Sequence, residues 1–423
     1  MGSIVVERST LNGEVEISGA KNSALPLLAA TLLTEEEIIL HKVPVLSDVE
    51  TMIDILRTVG KNVLFHKDTG TVVISGKILS THVPYDLVRK MRASFNVLGP
   101  IAALTGVAST PLPGGCSIGV RPVDFHIEGL KKLGFEVTYD HGEILAKRAK
   151  KSEEVVVHLP FPSVGATEHV MSTAAILPGV TIIKNAAMEP EIVDLQDLLN
   201  KMGAKITGAG TSKIFVEGVK TLHGCEHTII PDRIEAGSYV LAILTTGGEG
   251  LVKNVFPEHL DALWAALEKT GAIIKKGKDV VEVKARHRRK GCDVNVLPYP
   301  GFPTDLQPQI LVYLSLAQGT STVTENVFKT RFAHVGELVR MGADMRIIEN
   351  TVVVNGVEKL QGTTVMGTDL RATAALVIAG LAAEGKSEIT QVEHIFRGYE
   401  KVIEKFQKLG GNIKYIPGGA PEI

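Results

Sequence analysis

A sixfold internal repeat limits what this chain can fold into. A run of small and apolar residues recurs as GAKNSALPLLAATLL (19–33), RASFNVLGPIAALTG (92–106), GATEHVMSTAAILPG (165–179), IEAGSYVLAILTTGG (234–248), PTDLQPQILVYLSLAQG (303–319) and GTDLRATAALVIAG (367–380). Successive starts lie 73, 73, 69, 69 and 64 residues apart. Each run is apolar nearly all round, the pattern of a buried helix. A second helical stretch follows each one, apolar on a single face, and closes on glycine at 60, 134, 203, 271, 342 and 410, the residue type that stops helices. Two markers with one period predict six copies of one unit: strand, buried helix, strand, amphipathic helix, two short strands.

With 423 residues the chain exceeds the size of a single core. Six units divide into two α/β domains of three βαβαββ repeats. Each is expected to have pseudo-threefold symmetry, with helices inside and sheets outside, an inside-out α/β barrel. The expected domains are 21–230, and 1–20 together with 231–423, the second being discontinuous. The N-terminal strand is expected to pair with strands left open at the C-terminal end.

The formal charge of −2 argues against a polyanion-binding surface. Two basic clusters, KRAKK (147–151) and ARHRRK (285–290), lack interleaved aromatics and read as solvated loops, so no nucleic-acid partner is expected. Three cysteines without framework spacing suit a reducing compartment. The opening MGSIVVERSTLNGEVEISG has no basic and apolar leader pattern. The longest apolar runs are too short to span a bilayer. A cytoplasmic protein without membrane association is expected, and a monomer.

The segments ahead of the buried helices collect ionisable residues: Lys21 and Asn22; Arg89, Lys90 and Arg92; Arg233; Asp305; Asp369 and Arg371. Helix N-termini present unpaired N–H groups, and Lys or Arg beside them makes an anion site. The alternative is plain: Asp305 and Asp369 as helix caps, the arginines as surface charge. No Walker pattern and no G-x-G-x-x-G after a strand supports a nucleotide cofactor, and no cofactor is expected. HGCEH places His223, Cys225 and His227 on one strand face, but a flat alternation with no fourth ligand is a poor zinc site. No metal is expected, and Cys225 and Cys292 read as structural. Cys116, in LPGGCSIGVRPVDFHIEGLKKLG (112–134), is different: two glycines precede it and an arginine follows. A basic neighbour eases proton loss from a thiol. The residues alone leave open whether Cys116 does chemistry.

GAKNSALPLLAA, MRASFNVLGP, LPGGCSIGVRPVDFHI, PSVGATE, NAAMEPEIVDL, IIPDRIEAGSY, GFPTDLQPQ, ENVFKTRFAHVGEL, GTDLRATAALVIAG and RGYEKV together resemble the enolpyruvyl transferase family, in the branch whose acceptor is UDP-N-acetylglucosamine. The resemblance runs from about residue 4 to 418. It implies transfer of enolpyruvyl from phosphoenolpyruvate to the acceptor 3′-hydroxyl with release of phosphate, through a tetrahedral intermediate, in peptidoglycan precursor synthesis.

The same resemblance implies the roles. Lys21 and Asn22 bind phosphoenolpyruvate, with Arg121 and Arg397. Arg92, the run Arg121, Pro122, Val123, Asp124 and Phe125, then Ser163, Val164, Gly165, Asp305 and Val327 hold the sugar nucleotide. Arg331 and Arg371 are further basic positions, Cys116 is the general acid, Asp305 takes the hydroxyl proton, and Asp369 lies near the reacting carbon. Two positions depart from the family: Phe396 stands where Asp is usual before Arg397, and Phe161 where some members have Lys. Two other readings are a 5-enolpyruvylshikimate-3-phosphate synthase-like enzyme, which lacks the PGGCSIGVRPVD loop, and a non-catalytic homologue.

Overall fold

A computed structural model describes residues 2–113, 123–149, 154–286 and 289–418. They divide into two compact units, one of residues 2–18 and 231–418, the other of 19–113 and 123–230. Cys116, Arg121 and Pro122 lie outside the described residues.

In the unit of 231–418, three sheets share one connectivity. Asn12–Glu16 runs parallel to Glu249–Lys253, which pairs antiparallel with Val280–Lys284, and that strand with Ile273–Lys276. Val294–Val296, Thr320–Glu325, Thr351–Asn355 and Asp344–Ile348 repeat the order. In the third sheet the place of the repeat's last strand is taken by the N-terminal Ser3–Glu7, set between Lys386–Thr390 and Asn412–Ile416. A buried helix precedes the second strand of each parallel pair: Arg233–Thr245, Gln307–Ser315 or Leu370–Ala382. The last two join their pairs directly, whereas in sequence the whole other unit intervenes between Asn12–Glu16 and Arg233–Thr245. These three helices pack on one another inside the sheets, and all 13 residues of Arg233–Thr245 are buried. A helix with no wet face has nowhere to go but the centre.

The unit of 19–230 follows the same plan around Lys21–Ala30, Leu98–Thr105 and Val164–Ala174, with two differences from the expected repeat. The strand preceding Lys21 in sequence belongs to the other unit's sheet. The first repeat here takes its opening strand from Cys225–Thr228, parallel to Ile38–His41. The second repeat has a three-stranded sheet, Val107–Pro111, Glu143–Arg148 and Phe135–Asp140. Its opening strand shrinks to an isolated parallel bridge between His82 and Ser109. The bridge is made by Ser109 N–H to Thr81 O and Val83 N–H to Ser109 O. The next bond of the ladder would need the N–H of Pro111, which has none.

The closing glycines do what their position demands. Gly60, Gly134, Gly203, Gly271, Gly342 and Gly410 have φ of 110°, 92°, 99°, 87°, 91° and 86°, the left-handed region that reverses a chain leaving a helix. One expectation fails in the ARHRRK cluster. Arg289 is no solvated loop residue. Its guanidinium donates to Leu244 O at 2.8 Å, Thr245 O at 3.1 Å and Leu316 O at 3.2 Å, and lies 4.9 Å from the Tyr313 ring. It satisfies carbonyls that two buried helices leave unpaired at their C-terminal ends. Among the described residues no helix is long and apolar enough to cross a membrane.

Candidate active site

Among the described residues, a close grouping of ionisable side chains lies in the unit of 231–418, at the starts of two buried helices. Asp305 sits in the 3₁₀ turn Thr304–Leu306 that opens Gln307–Ser315. Arg331 donates to its Oδ1 at 2.9 Å and Arg371 to its Oδ2 at 3.0 Å. Both arginines are buried, their side chains 2% exposed, while Asp305 is 25% exposed. Arg331 also lies 3.9 Å from Asp369 Oδ1. Burial works against the Arg371 charge, but Asp305, Tyr399 and Asp232 outweigh it and hold the guanidinium charged beyond its ordinary range. The Tyr399 ring lies 5.3 Å from that guanidinium.

Asp369 is the N-cap of Leu370–Ala382, accepting from the N–H groups of Arg371 at 2.8 Å and Ala372 at 3.1 Å. The capping alternative therefore holds for Asp369 in geometry, and it does so beside Arg331. His334 is fully buried next to this group; burial, opposed by Asp369, lowers its pKa to about 4. Val327, half-buried, follows the strand Thr320–Glu325 and donates its N–H to Glu325 Oε1 at 2.8 Å. Arg397 ends the 3₁₀ segment Val392–Arg397. Phe396 packs edge-on against Tyr415 at 5.2 Å, so an aromatic contact stands where the family places a carboxylate.

In the unit of 19–230, Lys21 opens the helix Lys21–Ala30 and pairs with Asp48 at 3.4 Å, their side chains 12% and 6% exposed. The cap residue is Ala20, which has no side chain to accept from the first turn, unlike Asp232, Asp369 and Ser163 on their helices. Asn22 is half-buried beside Lys21. Ser23, next along, donates to buried Asp194, whose other oxygen binds His227 Nε2 at 2.8 Å. The last residue of HGCEH is thus a structural histidine.

Val123 to Phe125 and Ser163 to Gly165 stand at the starts of the two helices that carry the buried histidines His126 and His169, and Arg92 and Gly165 lie against His126. His169 Nε2 accepts the Gly99 N–H at 2.8 Å, so its proton sits on Nδ1, facing His126 Nδ1 at 3.1 Å. Burial drives the His169 pKa to about 3. Burial, then His169, then Arg92 hold His126 well below its ordinary value. A Cβ on Gly165 would lie 3.2 Å from His126 Cε1. Asp124 is exposed in the first turn of Asp124–Lys132, Val123 is buried and Phe125 half-buried. Arg89 and Lys90 do not join this group: both are exposed, and Arg89 pairs with Asp86 at 3.4 Å.

Several members were not legible beforehand. Asp48, His126, His169 and Glu325 carry no local signal, because a lone His or Glu on a helix or strand reads as surface or filler until a tertiary partner is known. Cys225 and Cys292 keep their structural reading: burial pushes both thiols up, Cys292 to about 11.

The family profile of EPSP synthase (3-phosphoshikimate 1-carboxyvinyltransferase) matches residues 5–406, and the chain belongs to that family of enolpyruvyl transferases. Within it, the chain is 80% identical to a UDP-N-acetylglucosamine 1-carboxyvinyltransferase of Fervidobacterium nodosum over 423 residues, the whole of both chains. It is 59% identical to the Thermotoga maritima protein of that name over 418 residues, 98% of this chain and 99% of the relative. Its fold is that of the enolpyruvyl transferase NikO from Streptomyces tendae, with a TM-score of 0.89, 21% identity and 99% of each chain covered. EPSP synthase from Acinetobacter baumannii superposes with a TM-score of 0.75 at 16% identity, over 99% of this chain and 100% of that one.

Proposed function

We propose that this chain transfers enolpyruvyl from phosphoenolpyruvate to the 3′-hydroxyl of UDP-N-acetylglucosamine, releasing phosphate, as the first committed step towards peptidoglycan. The two units are then the two domains of the transferase, acting as a cytoplasmic monomer on small molecules. The observation that carries the reading is the Asp305, Arg331, Asp369 and Arg371 grouping. It sets an accessible carboxylate among buried cations, and the full-length relatives point to the acceptor.

The chemistry follows from these groups. Cys116 gives a proton to the methylene carbon of phosphoenolpyruvate while the acceptor hydroxyl oxygen attacks the adjacent carbon. Asp305 takes the hydroxyl proton. Its oxygens already accept from Arg331 and Arg371, but a carboxylate has about four lone-pair sites, which leaves room for a further donor. The tetrahedral intermediate then loses phosphate, which carries off the proton held by Asp305, while the Cys116 thiolate takes a proton back from the methyl carbon and the double bond is restored. Lys21, Asn22, Arg121 and Arg397 offset the phosphate and carboxylate charge, as a multiply charged anion requires when it leaves water. Arg92, Pro122, Val123, Asp124, Phe125, Ser163, Val164, Gly165 and Val327 hold the sugar nucleotide.

The test is phosphate release from phosphoenolpyruvate with UDP-N-acetylglucosamine, with shikimate 3-phosphate, or with neither. Release is expected only with the first; equal release with shikimate 3-phosphate sinks the acceptor assignment, and none with either sinks the reaction. In the same assay Cys116→Ala should be nearly inactive. Cys116→Asp should keep measurable turnover with an optimum at lower pH, since its unperturbed pKa near 3.9 replaces one near 8.5. Normal turnover in the alanine variant removes Cys116 from the mechanism.

A further inference from the structure

We propose that Glu325 is a positioning residue that holds Asp305 and the turn through Val327 in register; this rests on the reading of Asp305 as the group that takes the acceptor's proton. Glu325 ends the strand Thr320–Glu325 and is completely buried. Its Oε1 accepts the N–H groups of Val327 at 2.8 Å and Phe328 at 3.0 Å, and its Oε2 accepts the Thr304 hydroxyl at 2.8 Å. The backbone is fixed from behind: Glu325 N–H donates to Asn350 O at 2.8 Å, and Asn350 Nδ2 donates to Glu325 O at 3.1 Å.

What these bonds connect gives the residue its meaning. Thr304 immediately precedes Asp305. Arg331, which grips Asp305 Oδ1 at 2.9 Å, uses the same Nη1 to reach Thr304 O at 3.1 Å and Thr304 Oγ1 at 3.3 Å. One buried carboxylate therefore ties the segment bearing the base to the loop bearing the arginine that holds the base. Burial pushes the Glu325 carboxyl above its usual range, and the Phe328 and Val327 amides, the Thr304 hydroxyl and Arg331 pull the other way. A turn alone can be closed by a neutral side chain. A buried carboxylate accepting three bonds is a costly choice unless direction matters, because each bond fixes one neighbour relative to the others.

The test uses the full chain, with phosphate release in the presence of both substrates, and amide hydrogen exchange without them. Thr304→Val deletes only the hydroxyl. Glu325→Gln keeps one oxygen for the two amides but turns an NH₂ towards Thr304, which reverses that bond and makes it compete with Arg331 Nη1, 3.3 Å away, for the hydroxyl's lone pairs. Each should lower kcat about tenfold or more, as small displacements of reacting groups do. The KM for phosphoenolpyruvate should stay within about twofold of the parent value, since Lys21 and Asn22 lie in the other unit and the bonds of Glu325 run to Thr304, Val327 and Phe328 rather than to Arg397. The double variant should be about as slow as the slower single variant, because both changes act on one link. In Glu325→Ala, exchange at the Val327 and Phe328 amides should accelerate at least about tenfold, the mark of a lost protecting bond. Unchanged kcat in Glu325→Gln and Thr304→Val overturns the proposal, as do losses that multiply in the double variant. A parent protein inactive with both substrates, yet showing the exchange difference, overturns the base assignment while leaving the tie as an element of the fold.

Discussion

Asp369 carries two loads that a single substitution would confuse. It caps Leu370–Ala382 through the Arg371 and Ala372 amides, and it lies 3.9 Å from Arg331 within the candidate site. Asparagine caps a helix about as well as aspartate, whereas alanine costs about 1 kcal/mol. Asp369→Asn should therefore leave the urea midpoint nearly unchanged while phosphate release falls, and Asp369→Ala should lose both. Parental turnover in the asparagine variant would make Asp369 a cap and nothing more. Arg371 shows the reverse case. In the sequence it reads as a surface charge or an anion contact, but it is buried and committed to Asp305, so its first task is to hold a carboxylate.

At the scale of the element, the amphipathic helices all stop in one way but not under one constraint. Gly342 has a φ of 91° and open space around a Cβ built there, so alanine there meets only the left-handed backbone, a cost of about 1–2 kcal/mol. Gly60 has a φ of 110°, and its Cβ would lie 2.7 Å from the backbone N of Leu79. The clash adds to the strain, because Leu79 N–H is bonded to Val59 O at 2.8 Å and cannot retreat cheaply. Gly60→Ala should lower the urea midpoint of its unit by clearly more than Gly342→Ala lowers that of the other. Equal losses would mean that backbone conformation accounts for both. The glycines at these ends were readable because helix termination is local: it needs only the residue and its own φ.

The whole molecule adds a pH dependence that no segment has alone. His169 has a folded pKa of about 3, against about 6.5 for an unperturbed histidine. Between these values the unfolded chain binds the proton and the folded one does not. The stability conferred by the neutral ring is thus complete above about pH 6.5 and lost as pH falls towards 3, at up to about 1.4 kcal/mol per pH unit. Glu168, in the same unit, is raised by burial and works in the opposite direction. His169→Gln leaves Glu168 in place and also relieves part of what holds His126 down, so the difference between variant and parent reports the histidine pair. Urea titrations from pH 6.5 to 4 should show a shallower acid loss in the variant. Identical slopes would show that His169 titrates normally in the folded state.

The repeat, its six buried and six amphipathic helices, their glycine stops and the residues at the helix entrances were determined by the sequence alone. Each depends on a periodicity or on a residue's own conformational range. Only the tertiary structure decided which strands complete which sheets. The strand Asn12–Glu16 precedes the first buried helix yet pairs with Glu249–Lys253, and Cys225–Thr228 precedes Arg233–Thr245 yet pairs with Ile38–His41. Ser3–Glu7 closes a sheet whose other strands lie beyond residue 363. Strand pairing is non-local, since any strand of suitable alternation satisfies the same ladder, and the choice rests on which open edge the packed helices leave within reach. Burial makes the same distinction among the charged residues. Lys21 and Asp305 stand out in the sequence by position. Asp48, Glu325 and the His126–His169 pair gain their roles only once desolvation obliges each to find a partner that the chain brings from far away.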